Sequence, residues 1–335
     1  NTMADIALRS PQFKYKPIPA SGVLSTVCTV TVDGTLRYTL TKNVEASTSV
    51  NFDISELARD YLEIEYKGNF WAQYVDIVTS ITNYAGLNGQ GAAVGTATTY
   101  TDRGFEAYGT FTENVNPVIV PTRPSFLIAS DISPFPSDNI TVLAPTGKAA
   151  ILPNISLGGT LSALIVSGTP TSVVWNGITV TIKRIDCTKY GDGKKVIFIN
   201  KYGAQQELWF FLKNTTAIGR TNDGFKSNTI TYPTNNHATY SNKNASNKVF
   251  NTQAKRTHNL SSGYYPEFAN EYFEQLLLSE YVWIERPNIN YPTENEVIPV
   301  KVTTSSMTFK TSVNDRLIEY TMEFEEAYDY INNIR

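Results

Sequence analysis

Hydrophobic and polar positions are most sharply patterned over residues 264–335. Phe268, Tyr272 and Leu276 recur at four-residue spacing, with Ala269, Phe273 and Leu277 in a second row. That spacing predicts a helix over 267–278 with a wide apolar stripe suited to a sheet. Pro266 opens it at a position where the missing N–H costs nothing. Glu267, Glu271 and Glu274 favour its N-terminal half. Four strand-like runs follow, at 281–285, 297–303, 307–313 and 317–325. Met307, Phe309, Thr311 and Val313 alternate with Thr308, Lys310 and Ser312, and Ile318, Tyr320, Met322 and Phe324 alternate with Glu319, Thr321, Glu323 and Glu325. Period two predicts an antiparallel sheet with one buried and one wet face. Asn314-Asp315 suits a tight hairpin, and Lys310 is expected to face glutamates across it.

The N-terminal part reads as short strands. The run 6–11 is a leading strand that ends at Pro11. Runs 27–32 and 36–41 flank Asp33-Gly34-Thr35, an Asp-Gly hairpin signal. Another strand, 49–54, precedes one or two helical turns over 56–62, with Ser or Asp at the cap. Residues 70–81 return to strand, with Trp71 and Tyr74 as packing residues. Gly86, Gly89, Gly91 and Gly95 resemble a phosphate loop only superficially, because strand-like sequence follows where a helix would have to open. A long, mobile hairpin tip is the expectation for 86–99. Pro117, Pro121 and Pro124 mark a linker.

Beyond it come strand runs at 139–143, 148–152, 161–166, 172–175 and 178–185, the last two joined by Asn176-Gly177. Runs 196–200 and 207–213 are continuously apolar, and Trp209, Phe210 and Phe211 in succession imply burial on both faces, or one face in an interface. Residues 214–254 read as polar and irregular, with an Asn-rich surface excursion at 235–247. Residues 52–66 and 265–284 echo each other, an acidic helix and then an aromatic strand.

The whole predicts a mainly β protein of two or three antiparallel β-sandwich-like domains. The expected divisions are 1–122, a β-sandwich; 123–186, a small Ig-like β subdomain; and 187–335, an α+β domain with a helix packed on a meander. The 335 residues suffice for this, and 20 Tyr, 16 Phe and 4 Trp supply core and interface surface. A net charge of −3 points away from nucleic acid, which selects a basic stripe. No run of about 18 apolar residues predicts a transmembrane helix, so no membrane span is expected, and no signal-peptide pattern opens the chain.

Candidate chemistry changes little. Cys28 and Cys187 sit in strand-like runs and read as buried small hydrophobes; with His237 and His258 they match no zinc spacing. Both histidines lie in polar, unpatterned sequence, which argues against a Ser/His/Asp triad. The carboxylate pairs Glu325-Glu326 and Glu63/Glu65 read as solvated strand or terminus rather than glycosidase acids. Asp186 and Asp192 lack dense oxygen-ligand spacing. The five glycosylation sequons arise by chance in an Asn- and Thr-rich chain. No catalytic, cofactor-binding or metal-binding residue is therefore assigned, and no cofactor.

Three sets of residues carry a resemblance. They are 6–11 with 33–41 and 52–65; Lys195-Val196-Ile197-Phe198-Ile199-Asn200-Lys201-Tyr202-Gly203-Ala204 with Glu207-Leu208-Trp209-Phe210-Phe211; and 274–283, 297–302, 310–315 and 320–335, ending Ile331-Asn332-Asn333-Ile334-Arg335. Together these resemble virion structural proteins of tailed phages that infect flavobacteria and related Bacteroidota. Residues 126–185 are unmatched. The resemblance implies a non-enzymatic building block, located in the virion and assembling with other virion proteins and copies of itself in the tail or baseplate region. In that reading the glycine loop and the Asn-rich excursion are inter-subunit arms. The alternatives are a capsid-surface decoration or turret protein, and a module that binds host-surface glycan through exposed aromatics such as Tyr240 or Tyr264.

Overall fold

The computed structural model describes residues 3–19, 21–44, 48–68, 72–112, 116–118, 139–154, 162–175, 178–185, 193–233, 237–288, 290–311 and 317–332. The chain is mainly β, with several antiparallel sheets and few helices.

The first part contains β1 (Ala4–Ala7), β2 (Phe13–Pro17), β3 (Ser25–Val32), β4 (Thr35–Asn43), β5 (Ser49–Asp53), α1 (Ser55–Arg59), β6 (Tyr74–Tyr84) and β7 (Ala93–Phe105). Five strands form one sheet in the order β1-β7-β6-β3-β4, and β2 pairs with β5 in a second. Alternation along β3 puts Cys28, Val30 and Val32 inside, where they meet Phe52 of β5 and Ala58 of α1. The β3–β4 hairpin turns on Asp33 (φ 49°) and Gly34 (φ 76°), the left-handed pair that an Asp-Gly hairpin needs. The expected Ser or Asp cap is not made: α1 is preceded by Ile54, without a side-chain cap, and Asp53 Oδ1 instead closes a local turn, accepting from Ser55 N at 3.0 Å and Ser55 Oγ at 2.8 Å. No strand follows α1 over 60–68, so the echo with the C-terminal helix and strand does not extend to structure.

The middle part contains β8 (Asn139–Pro145), β9 (Ala150–Asn154), β10 (Ser162–Val166), β11 (Ser172–Trp175) and β12 (Ile178–Ile185), in a three-stranded sheet β11-β12-β8 and the pair β10-β9. All five follow the apolar runs of the sequence. Two pairings, β1 with β7 and β12 with β8, are parallel, a departure from the antiparallel expectation. Both join strands far apart in sequence, where no hairpin dictates direction.

The last part contains β13 (Lys194–Ile199), β14 (Gln205–Phe210), β15 (Asn214–Lys226), β16 (Ile230–Thr231), β17 (Thr239–Tyr240), β18 (Asn247–Ser261), β19 (Tyr265–Pro266), α2 (Asn270–Leu278), β20 (Val282–Pro287), β21 (Asn295–Val302), β22 (Leu317–Ile318) and β23 (Thr321–Glu326). Seven strands make one sheet, ordered β14-β13-β20-β21-β23-β18-β15. A 3-10 turn, Glu267–Ala269, leads from Pro266 into α2. Ala269, Tyr272, Phe273 and Leu276 are buried against the sheet, and Phe273 meets the rings of Phe210, Tyr265 and Tyr320 at 5.0–6.1 Å. The predicted helix on a sheet is thus present.

Several expectations are corrected. Residues 303–311 form no strand: Met307 and Phe309 pack against the core as side chains only, and Phe309 lies edge-on to Tyr320 at 5.8 Å. Alternation there reflects packing without a ladder. Lys310 is exposed, and Glu325 of β23 instead meets Lys255, at 3.0 Å. The glycine loop is short, because β7 begins at Ala93 and absorbs half of it; Asn43 and Asn88 exchange hydrogen bonds of 2.8 and 2.9 Å across what remains. About half of residues 214–254, namely 214–226 and 247–254, lie in two long paired strands rather than in irregular chain. Trp71, Pro121 and Pro124, Asn176-Gly177, Cys187 with Asp186 and Asp192, and Asn314-Asp315 lie outside the described residues, as does the side chain of Phe268.

Candidate functional site

β15 and β18 form an arm. β15 is the last strand of the seven-stranded sheet, so only β18 pairs with it. Register runs from Asn214↔Leu260 to Lys226↔Asn247. β23 supports β18 only over Thr257–Ser261. Next to it the C-terminal segment covers β18, with Tyr330 N donating to Ala254 O at 2.8 Å and Ile331 N to Gln253 Oε1 at 3.1 Å; only the outer part, Asp223–Lys226 paired with Asn247–Phe250, continues alone, and β15 as a whole spans roughly 40 Å at about 3.3 Å per residue. Near Asn251 (φ 50°) the ladder shifts by one residue, and Asn251 Nδ2 donates to Asp223 Oδ2 at 3.1 Å. β16 and β17 form a small second ladder towards the tip.

From Thr215 to Lys226 every residue of β15 is exposed. Exposed apolar side chains nonetheless cluster on the arm: Phe225 and Phe250 meet edge to face at 5.7 Å, and Tyr232 and Tyr240 are 71% and 78% exposed. A lone two-stranded ribbon with no covered face is marginal in water, and exposed apolar side chains in such a place mark contact surfaces.

The arm is anchored at its base. Leu260 enters the core. His258, on β18 rather than in a loop, bridges Thr216 Oγ1 at 3.2 Å and Glu326 Oε1 at 2.9 Å. Glu326 is 2% exposed and also accepts from Arg286 Nη1 at 2.6 Å, so the Glu325-Glu326 pair is not a solvated terminus. Arg256 lies over the Tyr330 ring at 4.9 Å. Of the other carboxylate pair, Glu63 is exposed and Glu65 holds Lys67 at 2.9 Å.

Two further clusters join parts of the chain. Arg9 and Arg59 both reach Glu106 and Glu280, with Arg59 Nη2 at 2.7 and 2.6 Å. Beside them, the Tyr66 and Trp283 rings meet at a tilt of 51°, centroids 6.0 Å apart, and Ile64 and Tyr66 cover Ile197 and Ile199. This is how β13 comes to be buried on both faces. Lys195 stands between Glu207, at 3.2 Å, and Glu285. Burial pushes the Glu207 carboxyl up against the pull of Lys195; burial lowers Lys195, but the two glutamates raise it overall. A cavity of about 120 Å³ opens here, lined by Lys148, Lys194, Lys195, Trp209, Glu285 and Asn295 among others. The ammonium groups of Lys148 and Lys195 lie 5.7 and 5.9 Å from the Trp209 ring centroid.

Cys28 is buried, as expected of a small hydrophobe, and burial raises its thiol to about 11. His237 is exposed, on the arm's tip. Among the described residues no group of three His, Cys, Asp or Glu is placed to hold a metal ion. No helix among them is long and apolar enough to cross a membrane. Tyr240 and Tyr264 are both exposed, on the arm tip and ahead of α2 respectively. The sequence signals of the arm are its Asn-rich tip, a weak alternation over 249–260 and the apolar Ile218 and Phe225. No protein-family model, no curated protein and no solved structure matches this chain.

Proposed function

We propose that this chain is a non-enzymatic structural protein of a tailed-phage virion, assembling with copies of itself and with other virion proteins in the tail or baseplate region. The observation that carries the assembly part is the β15–β18 arm, which exposes aromatic side chains and an open strand edge. The virion part rests on the resemblance of 6–11, 33–41 and 52–65, of 195–204 and 207–211, and of 274–283, 297–302, 310–315 and 320–335 to virion proteins. Antibody labelling of purified source particles tests it. Label at the tail supports this placement; label on the head shell would favour a decoration or turret protein instead; no label on any particle would sink the virion reading.

A second reading, a host-glycan-binding module, is favoured by exposed Tyr240 and Tyr264 and by the Trp209 cavity with its amide and ammonium groups. Saturable binding to host cells, lost in Tyr240→Ala or Tyr264→Ala, would support it. No binding at high protein concentration would count against it, and turnover in a glycan-hydrolysis screen would overturn the non-enzymatic reading altogether.

A further inference from the structure

We infer that the cavity over Trp209 binds one acidic sugar unit, a hexose ring that carries a carboxylate. This rests on the glycan-binding reading above, and it names the site and the charge of the ligand.

Sheet register builds the floor of the cavity. Lys195 of β13 lies opposite Trp209 of β14, and its neighbour Val196 pairs with Ile284 of β20. Val196, Leu208 and Ile284 belong to the core under α2, so alternation turns Lys195, Trp209 and Glu285 to the other face. Gly193 leaves the indole edge uncovered, since a Cβ there would stand 3.5 Å from Trp209 Cε3. The turn after β8 closes the cavity from the middle part of the chain. It carries Lys148, whose N–H donates to Pro145 O at 3.1 Å and whose carbonyl accepts from Arg184 Nη1 at 2.6 Å. The Lys148 and Lys195 ammonium groups, at 5.7 and 5.9 Å from the ring centroid, stand at the outer limit of a cation–π contact. They flank the ring without being pressed on it.

Charge within this one cavity is uneven. Lys148, Lys194, Lys195 and Arg286 line it, against the single carboxylate of Glu285. Lys195 is held by Glu207 and Glu285, and Arg286 by Glu296 and Glu326. Lys148 and Lys194 have no carboxylate within 4 Å among the described residues. Two unneutralised ammonium groups beside a half-exposed indole suit a ligand with one anionic group and a flat C–H face. Asn295 adds an amide: its Nδ2 donates to Glu285 Oε1 at 2.7 Å, which leaves its carbonyl oxygen for a sugar hydroxyl. The volume of about 120 Å³ is comparable to the roughly 150 Å³ of a cavity that takes benzene, so the site suits one ring rather than a length of chain. A bare phosphate is disfavoured, because the guanidinium fork that would grip it is already taken by two glutamates.

NMR titration of the full chain with methyl β-glucuronide and methyl β-glucoside tests the proposal, because the two probes differ only in the carboxylate. The glucuronide should bind about tenfold or more tightly than the glucoside, and that preference should shrink as added salt screens the ammonium groups. Lys148→Ala and Lys194→Ala should each weaken the glucuronide about tenfold while leaving the glucoside nearly unchanged. Trp209→Ala should weaken both probes, and Tyr240→Ala neither. Lys148 is exposed on a turn, so its removal spares the core, and the salt titration needs no variant. Equal binding of the two probes would overturn the acidic assignment. Inorganic phosphate competing as well as the glucuronide would overturn the sugar assignment and leave a general anion site. No glucuronide binding, beside host-cell binding that is lost in Tyr240→Ala or Tyr264→Ala, would overturn the cavity proposal and leave the glycan reading standing; absence of both would overturn both.

Discussion

β13 and β15 belong to one seven-stranded sheet and have opposite surroundings. Along β13, Val196 and Phe198 face α2 and the main core, while Ile197 and Ile199 face Trp283, Ile64 and Tyr66. Along β15, Thr215 to Lys226 face solvent on both sides. The same backbone ladder serves both, so hydrogen bonding does not distinguish them. Side-chain burial does, and it divides the sheet into a part that holds the chain together and a part free to meet something else.

The largest effect should come from the buried part. Phe273→Ala removes a ring shared by Phe210, Tyr265 and Tyr320, and should cost about 4 kcal/mol in denaturant unfolding. Phe225→Ala, on the arm, should cost about 0.5–1 kcal/mol or less in the same assay. A similar cost at both sites would break the comparison.

Lys195→Met should come next, at about 3 kcal/mol, because it leaves Glu207 and Glu285 together without their cation. Glu207→Gln is the milder change, since Lys195 keeps Glu285. Its effect should depend on pH with a definite sign. Burial raises the Glu207 carboxyl in the folded state, so the folded protein binds that proton more tightly than the unfolded chain. The wild type therefore pays for ionised Glu207 at pH 7. It recovers that cost as the pH falls from the raised folded value towards the ordinary value of about 4.3. The stability of Glu207→Gln relative to wild type should be greatest at neutral pH and shrink on acidification. A gap that widens instead would show that the Lys195 contact outweighs burial.

The smallest effect should follow from shortening the arm. Replacing 222–252 with a two-residue turn should change the unfolding free energy by less than about 1 kcal/mol, measured on the dissociated chain. A larger loss would mean that the arm stabilises the body as well.

The division between these regions also explains what could be read from sequence. The strands of 139–185 are short apolar runs between turn signals, the helix 267–278 carries an apolar stripe, and the Asp33-Gly34 turn carries its own conformational requirement. Outside 249–260, where positions alternate weakly and Ala254 and Leu260 are buried, the arm lacks a period because no face of its outer part is buried. Its strands exist through mutual backbone pairing between residues up to 46 positions apart, from Asn214 to Leu260, and local composition cannot register that. Conversely, Met307 and Phe309 alternate inwards without a partner strand, so a true burial pattern implied a ladder that is absent. The buried Glu326 and the Arg9–Arg59–Glu106–Glu280 cluster were illegible for a related reason. Each joins charges from distant segments, and a charged residue reads as solvated until its partners are placed.

Sequence alone determined the mainly β class, most strand positions in the cores, the helix against its sheet and the hairpin at Asp33-Gly34, because each follows from local period or local backbone preference. Tertiary structure decided the parallel pairings, the double burial of β13, the glutamates that are sequestered and the freedom of the arm. These depend on which distant segments meet, and contact between segments separated by tens or hundreds of residues leaves no periodic trace in either one.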